Sequence, residues 1–153
     1  MEKTLKVLAI KHGTVIDHLP AGTALRIIKI LKLEDYQNVI TVGSNFRSLA
    51  GQAKDIIKIE NLELTSSQVD QVALLAPSAT INIIKNYEVV KKFNVNIPAQ
   101  LTGIIKCPNP KCITNAESVT TKFLTSINNK KFTLKCHYCE RIFDQHEISN
   151  YLA

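Results

Sequence analysis

Cys107, Cys112, Cys136 and Cys139 are the only cysteines in the chain. They come as two close pairs, CPNPKC and CHYC, with 23 residues between the pairs. A pair separated by four residues and a pair separated by two can each bend their backbone around one ion, and two such pairs make a four-thiolate zinc site. Zn(II) takes sulfur donors at about 2.3 Å in a tetrahedron, and four thiolates leave no position open for water or substrate. The spacing therefore predicts one structural Zn(II) per chain, held by Cys107, Cys112, Cys136 and Cys139.

The same sulfurs have other uses, and context weighs against each. Disulfides belong mainly to exported chains, whereas Met1-Glu2-Lys3 does not open as a signal peptide does. Cys136-His137-Tyr138-Cys139 has the CxxC form. A redox pair needs that motif at the start of a helix after a strand, and here KKFTLK reads as a strand with no long helical pattern after it. Iron–sulfur clusters use the same ligands at other spacings. His137 stands beside a tetrahedron already filled, so an exposed imidazole is its simplest reading.

The metal also bears on how the C-terminal part folds. Its 55 or so residues rarely bury enough apolar surface to fold unaided, so the ion acts as a staple. The whole chain has 153 residues, 45% of them apolar, enough for one ordinary domain or two small ones. No apolar run approaches the roughly 18 residues that span a bilayer. With no export signal, the expectation is a cytoplasmic protein without a membrane partner. The net charge is +6. Residues 1–99 carry 12 Lys/Arg against 9 Asp/Glu, and residues 100–153 carry 7 against 4. Replacing four thiol protons by one dication lowers the second excess by two charges. Spread so thinly, the positive charge admits an anionic ligand without arguing for nucleic acid.

Taken in order, Lys3 to Lys11 reads as a strand, with Leu5, Val7 and Ala9 alternating against Lys6 and Leu8. HGTVIDHLPAG, punctuated by Gly13 and Pro20, reads as a loop carrying Asp17 and His18. Gly22 to Leu33 repeats its apolar residues near 3.6 and predicts a helix. Asn38 to Ser44 is a strand, NFRSLAGQA a loop, and Lys54 to Asn61 a strand with Ile57 and Ile59 on one face. Thr65-Ser66-Ser67-Gln68 has the form of a capping box. It opens a second helix, with Val69, Val72, Ala73 and Ala76 as its buried stripe, and Pro77 closes it. Thr80 to Lys92 is a long strand or bent pair with Asn86 as a bulge. The order βαββαβ predicts an α+β, ferredoxin-like sandwich. Phe93 to Gln100 reads as a linker. Ile104-Ile105, Val119 to Leu124 and Phe132 to Leu134 read as short strands of a small zinc-ribbon-like β domain, with Asn128-Asn129 as a turn.

Over nearly its whole length the chain resembles the regulatory chain of aspartate carbamoyltransferase. The stretches that carry the resemblance are GTVIDHLPAG, KDIIKIEN, NYEVVKK, CPNPKC, ITNAE and LKCHYCE. The cysteine spacing agrees with that family. Any one stretch is weak, but their joint order in a chain of this size is specific. The resemblance implies a non-catalytic chain of two domains. Residues 1–98 would bind CTP and ATP as allosteric effectors and pair with a second regulatory chain. Residues 99–153 would carry the zinc and contact the catalytic chain, in pyrimidine biosynthesis.

The resemblance further implies a nucleotide site of Ile10, Val15, Asp17, His18, Lys58, Asn82, Ile84, Tyr87, Val89 and Lys92. In it Lys58, Lys92 and His18 would meet phosphates or ribose, and Asp17 would lie near the sugar. Lys54 belongs to the same matched segment. Asn109, Glu117, Tyr138 and Arg141 would face the catalytic chain. The residues read by themselves agree in part. No P-loop or GxGxxG is present, so a nucleotide would have to be held by side chains from several strands. On their own, strand lysines more often mark a solvated face. The alternative is a nucleic-acid-binding zinc ribbon. A sheet that reads RNA stacks bases on aromatics in its central strands, and KDIIKIEN has none. A free-standing enzyme would need a nucleophile–base pair or paired acids, and none stands out.

Overall fold

Thr14, Val15 and Ile16 are β-branched, and the chain around them runs extended. The computed structural model describes residues 9–47, 51–128 and 131–148. They fall into two units, one ending at Val95 and the other beginning at Asn96.

The first unit runs β1 (Gly13–Pro20), α1 (Ala24–Ile30), β2 (Ile40–Arg47), β3 (Ala53–Glu60), α2 (Ser66–Leu75), β4 (Thr80–Lys85) and β5 (Glu88–Asn94). Its antiparallel sheet has the order β2-β3-β1-β4-β5. The first four strands give the expected ferredoxin-like arrangement, and β5 extends it as a hairpin on β4. Two asparagine- and tyrosine-borne positive φ angles, 51° at Asn86 and 66° at Tyr87, make the two-residue turn that matches strand twist. The bend expected within Thr80 to Lys92 is this turn.

Alternation assigns the two faces of the sheet. Ile16, Ile57, Ile59 and Ile81 are fully buried, as are Ile27 of α1 and Val72 and Ala73 of α2. Burying each of the larger side chains contributes about 2 kcal/mol, so the face under the helices carries the stability. The opposite face holds Val15, Lys58 and Lys92. Thr65 accepts from the Gln68 backbone N–H at 3.2 Å, and the Gln68 side chain accepts from the Thr65 N–H at 2.9 Å. The capping box is thus complete.

Several sequence expectations shift. The strand expected over Lys3 to Lys11 falls largely outside the described residues, and residues 9–12 lie in no strand. The first described strand is instead GTVIDHLP, the stretch expected to be a loop, so Asp17 and His18 are strand residues. Gly13 and Pro20 punctuate its ends without interrupting it. A Cβ on Gly13 would overlap the Ile59 carbonyl, so the glycine permits close pairing of β1 with β3. His18 takes φ 59° at an irregularity between Ile16 and Leu19, and this bulge returns Leu19 to the core. The helix expected from Gly22 to Leu33 is shorter at both ends. Asn45 to Arg47, assigned to a loop, complete β2. Phe93 and Asn94 end β5, and Gln100 starts the next strand, so the expected linker shrinks to residues 95–99. Val95 is buried, with its N–H donating to Ala79 O.

The second unit holds β6 (Gln100–Thr102), α3 (Ile113–Ala116), β7 (Lys122–Asn128), β8 (Lys131–Cys136), β9 (Ile142–Asp144) and α4 (Gln145–Ile148), with sheet order β6-β7-β8-β9. The expected strand at Ile104-Ile105 is only an isolated bridge at Ile105. The strand placed at Val119 to Leu124 runs from Lys122 to Asn128. The expected turn at Asn128-Asn129 reaches beyond the described residues. Leu101, Phe123, Leu134 and Cys136 are buried in this unit, and Phe123 meets Phe143 edge-on at 6.5 Å.

Candidate functional site

Register places most of the expected nucleotide residues on one face. Val15 of β1 pairs with Lys58 of β3 on one side and Asn82 of β4 on the other, and Asn82 pairs with Lys92 of β5. Directly opposed residues point the same way, so Lys58, Val15, Asn82 and Lys92 form one transverse row. Three strand spacings put the two lysine backbones about 14 Å apart, close enough for both long side chains to reach one polyphosphate. Burial lowers the pKa of Lys58, and the nearby Asp17 carboxylate partly opposes the shift. A bound anion would favour its charged form.

One step along the strands, Asp17 pairs with Thr80 and Thr80 with Asn94. His18 Nδ1 lies 3.1 Å from Thr80 Oγ1, and Thr80 donates to Asn94 Oδ1 at 3.2 Å. The His18 N–H donates to Asp17 Oδ1 at 2.7 Å. A cavity of about 760 Å³ opens here, and His18, Lys54, Thr80, Lys92 and Asn94 are among the residues around it. In the other direction Gly13 pairs with Ile84, and Ile84 with Val89. Ile84 is buried, while Val89 and Tyr87 are 56% and 64% exposed, leaving apolar surface open beside the polar row. Ile10 precedes β1 and is buried. The Tyr87 N–H donates to Lys11 O, tying that segment to the β4–β5 turn.

Of the ten expected residues, the large cavity therefore takes His18 and Lys92. Val15, Asp17, Lys58, Asn82, Ile84 and Val89 share the face by register, and Tyr87 and Ile10 stand at its apolar end. Thr80 and Asn94 went unnoticed in the sequence. Their signal is strand pairing, of Thr80 with Asp17 on one side and with Asn94 on the other, which a single sequence does not display.

Asp55 is a further residue that the sequence alone does not single out. It is 1% exposed. Its carboxylate accepts from the N–H groups of Gly22 (2.9 Å), Ala24 (3.1 Å) and Asn45 (2.9 Å), and from the Ser44 hydroxyl (3.3 Å). Burial pulls its pKa up, and the donors of Asn45, Ala24, Gly22 and Ser44 together outweigh that and hold it below 3.8. Thr23 makes no side-chain cap on α1, so Asp55 supplies the acceptor that this helix start lacks. It also fixes the bulged part of β2.

In the second unit the four sulfurs converge. They lie within 4.8 Å of one another, with Cys107 to Cys139 at 3.7 Å and Cys112 to Cys136 at 3.8 Å. Tetrahedral coordination at about 2.3 Å requires sulfurs about 3.8 Å apart. Each thiol is free of disulfide bonding, and three of the four are buried. The group is therefore positioned to hold one metal ion.

The two loops are built to keep this geometry. Asn109 O accepts from the Cys112 N–H at 3.0 Å, and Asn109 Oδ1 accepts from the Lys111 N–H at 3.1 Å. The Thr114 hydroxyl donates to Cys112 Sγ at 3.2 Å. In the second loop the Cys136 N–H donates to Arg141 O and the Glu140 N–H to Cys136 O, with Glu140 at φ 62°. Burial pushes the Cys107 thiol up. Burial does the same to Cys139, but the Arg141 N–H, the Asn109 side chain and the neighbouring thiols outweigh it and bring that group to about 7. His137 is exposed and stands edge-on to Tyr138, outside the sulfur cluster. Glu117, Tyr138 and Arg141 are exposed. Asn109, grouped with them as a contact for a catalytic chain, is buried inside its own loop.

No helix among the described residues is long and apolar enough to cross a membrane. Residues 5–96 match the family model of the aspartate carbamoyltransferase regulatory chain, allosteric domain. Residues 99–149 match that of the same chain's metal binding domain. Among relatives named aspartate carbamoyltransferase regulatory chain, that of Pyrococcus horikoshii is 49% identical over 146 residues, covering 94% of this chain and 95% of its own. That of Thermococcus kodakarensis is 44% identical over 153 residues, covering 99% and 100%. That of Tolumonas auensis is 44% identical over 148 residues, covering 97% and 96%.

Proposed function

The chain belongs to the aspartate carbamoyltransferase regulatory chain family, and from that premise we propose that it senses CTP and ATP and transmits their binding to the catalytic chain of that enzyme. Residues 1–98 form the nucleotide-binding domain. Residues 99–153 form the domain that docks onto the catalytic chain. A second regulatory chain completes a homodimer in the cytoplasm, and neither nucleic acid nor membrane is a partner.

The observation that carries this reading is the transverse row of Lys58, Val15, Asn82 and Lys92 on the sheet face away from the helices. It has cations at both ends. His18 and a cavity flank it on one side, and the exposed Val89 and Tyr87 on the other. Lys58, Lys92 and His18 hold the triphosphate, and Asp17 lies near the sugar. Ile10, Val15, Asn82, Ile84, Tyr87 and Val89 surround the base. An effector acts by binding two states of the assembly unequally, with couplings of about 1–3 kcal/mol.

Cys107, Cys112, Cys136 and Cys139 hold one Zn(II). All four donors are sulfur, two pairs of them 3.7 and 3.8 Å apart and all within 4.8 Å, which suits zinc, and a full set of protein ligands suits a structural site. The ion, when bound, neutralises thiolate charge and ties the two loops together. Titration of the purified full chain with CTP and ATP tests the sensor reading. Saturable binding is expected, and no binding at millimolar nucleotide would overturn it. Copurification with a catalytic chain tests the docking reading.

A further inference from the structure

The first cysteine loop is closed by a side chain that is not itself a ligand. Asn115 Nδ2 donates to Cys107 O at 2.9 Å and to Asn109 O at 2.7 Å. It spends both amide hydrogens on carbonyls at the first ligand and at the loop's midpoint. Its own N–H donates to Cys112 O at 2.9 Å, so Asn115 touches the backbone at both ends of CPNPKC. Asn109 O then has two donors, Asn115 Nδ2 and the Cys112 N–H, and both lone pairs are used. The Asn109 side chain bonds within its own loop, its Oδ1 accepting from the Lys111 N–H at 3.1 Å.

We propose that Asn115 is a positioning residue of the metal centre: its paired donation to Cys107 O and Asn109 O holds the first loop in ligand geometry before the ion arrives, and thereby sets how slowly the ion leaves. Two amide hydrogens on one nitrogen, about 120° apart, match two converging carbonyls, whereas a carboxylate at the same place offers only repulsion. Without this clamp the loop would have to be ordered by the ion itself. Groups that orient ligands from behind are typically worth 10–100-fold in metal affinity.

This inference rests on the reading that the four thiols hold zinc, and the test separates the two. The full chain is purified as wild type and as Asn115→Ala, Asn115→Asp and Asn115→His, with Ser118→Ala as an exposed control. Bound zinc is measured, followed by its release rate to a chromophoric chelator and the dissociation constant and absorption spectrum with cobalt. Asn115→Ala and Asn115→Asp are expected to release zinc 10–100-fold faster, while saturating cobalt still gives the four-thiolate spectrum. Asn115→His, which keeps one ring N–H, is expected to fall between them and wild type. Release rates and cobalt affinities within twofold of wild type for a zinc-loaded Asn115→Ala would overturn the positioning role alone. A wild-type chain that takes up no zinc would overturn the metal reading, and the positioning role with it. Should Asn115→Ala fail to fold, Asn115→His decides, and wild-type kinetics there together with loss of only one donor would count against the clamp.

Discussion

Lys58 of β3 and Lys92 of β5 stand at the two ends of one transverse row, with Val15 and Asn82 between them. Both lysines lie on the face away from the helices, opposite the core that Ile16, Ile57, Ile59 and Ile81 form. Lys58→Ala and Lys92→Ala are each expected to weaken triphosphate binding about 10–100-fold, the loss of a charged hydrogen bond. The unfolding midpoint should barely move. Calorimetric titration with CTP and ATP, alongside urea unfolding, checks both halves. Unchanged affinity in both variants would contradict the phosphate assignment.

Asp55 is expected to matter for folding rather than for binding. Asp55→Asn keeps the size but turns an acceptor-only group into one that offers hydrogens to four donors. A loss of about 2–3 kcal/mol is expected at neutral pH. The carboxylate's pKa in the folded chain lies below the ordinary 3.8. Its ionised form therefore stabilises the fold above that pH, and the contribution is lost as pH falls through the folded value. The stability gap between wild type and variant should accordingly narrow in strong acid. Urea unfolding as a function of pH measures it, and a constant gap would contradict the assignment.

The helix cap gives a smaller effect. Thr65→Ala removes the acceptor for the Gln68 N–H and should cost about 1 kcal/mol, read as a lower urea midpoint with an unchanged slope.

Metal removal should act on one unit. Displacing the thiolates with an organomercurial is expected to unfold the part beyond residue 96, because its small core depends on the ion. Limited proteolysis should then leave a resistant fragment that ends near Val95 and still binds nucleotide. Uniform digestion of both units would contradict this.

What could be read from sequence was what is local. The capping box spans four residues and survives intact at Thr65 and Gln68. The cysteine pairs declare their chemistry through spacing alone. β3 announced itself by alternation, and Ile57 and Ile59 are buried as that pattern requires. β1 was hidden because Gly13 and Pro20 are also loop residues. Gly13 is there for the close approach of β3, which is a tertiary fact. The bulge at His18 broke the alternation that would have revealed the strand. Asp55 left a trace, since period two puts it on the face of Ile57 and Ile59. Its donors, Gly22, Ala24 and Asn45, come from other elements and could not be foreseen. Thr80 and Asn94 became neighbours of His18 only through pairing of β1, β4 and β5.

The most direct measurement is carbamoyl transfer by the catalytic chain reconstituted with this protein, assayed with and without CTP and ATP. With the wild-type chain the rate is expected to respond to nucleotide. With the Lys58→Ala, Lys92→Ala double variant the same assembly should form, seen by sedimentation, and the response should vanish. A wild-type assembly indifferent to both nucleotides, or a double variant that responds as wild type does, would contradict the account.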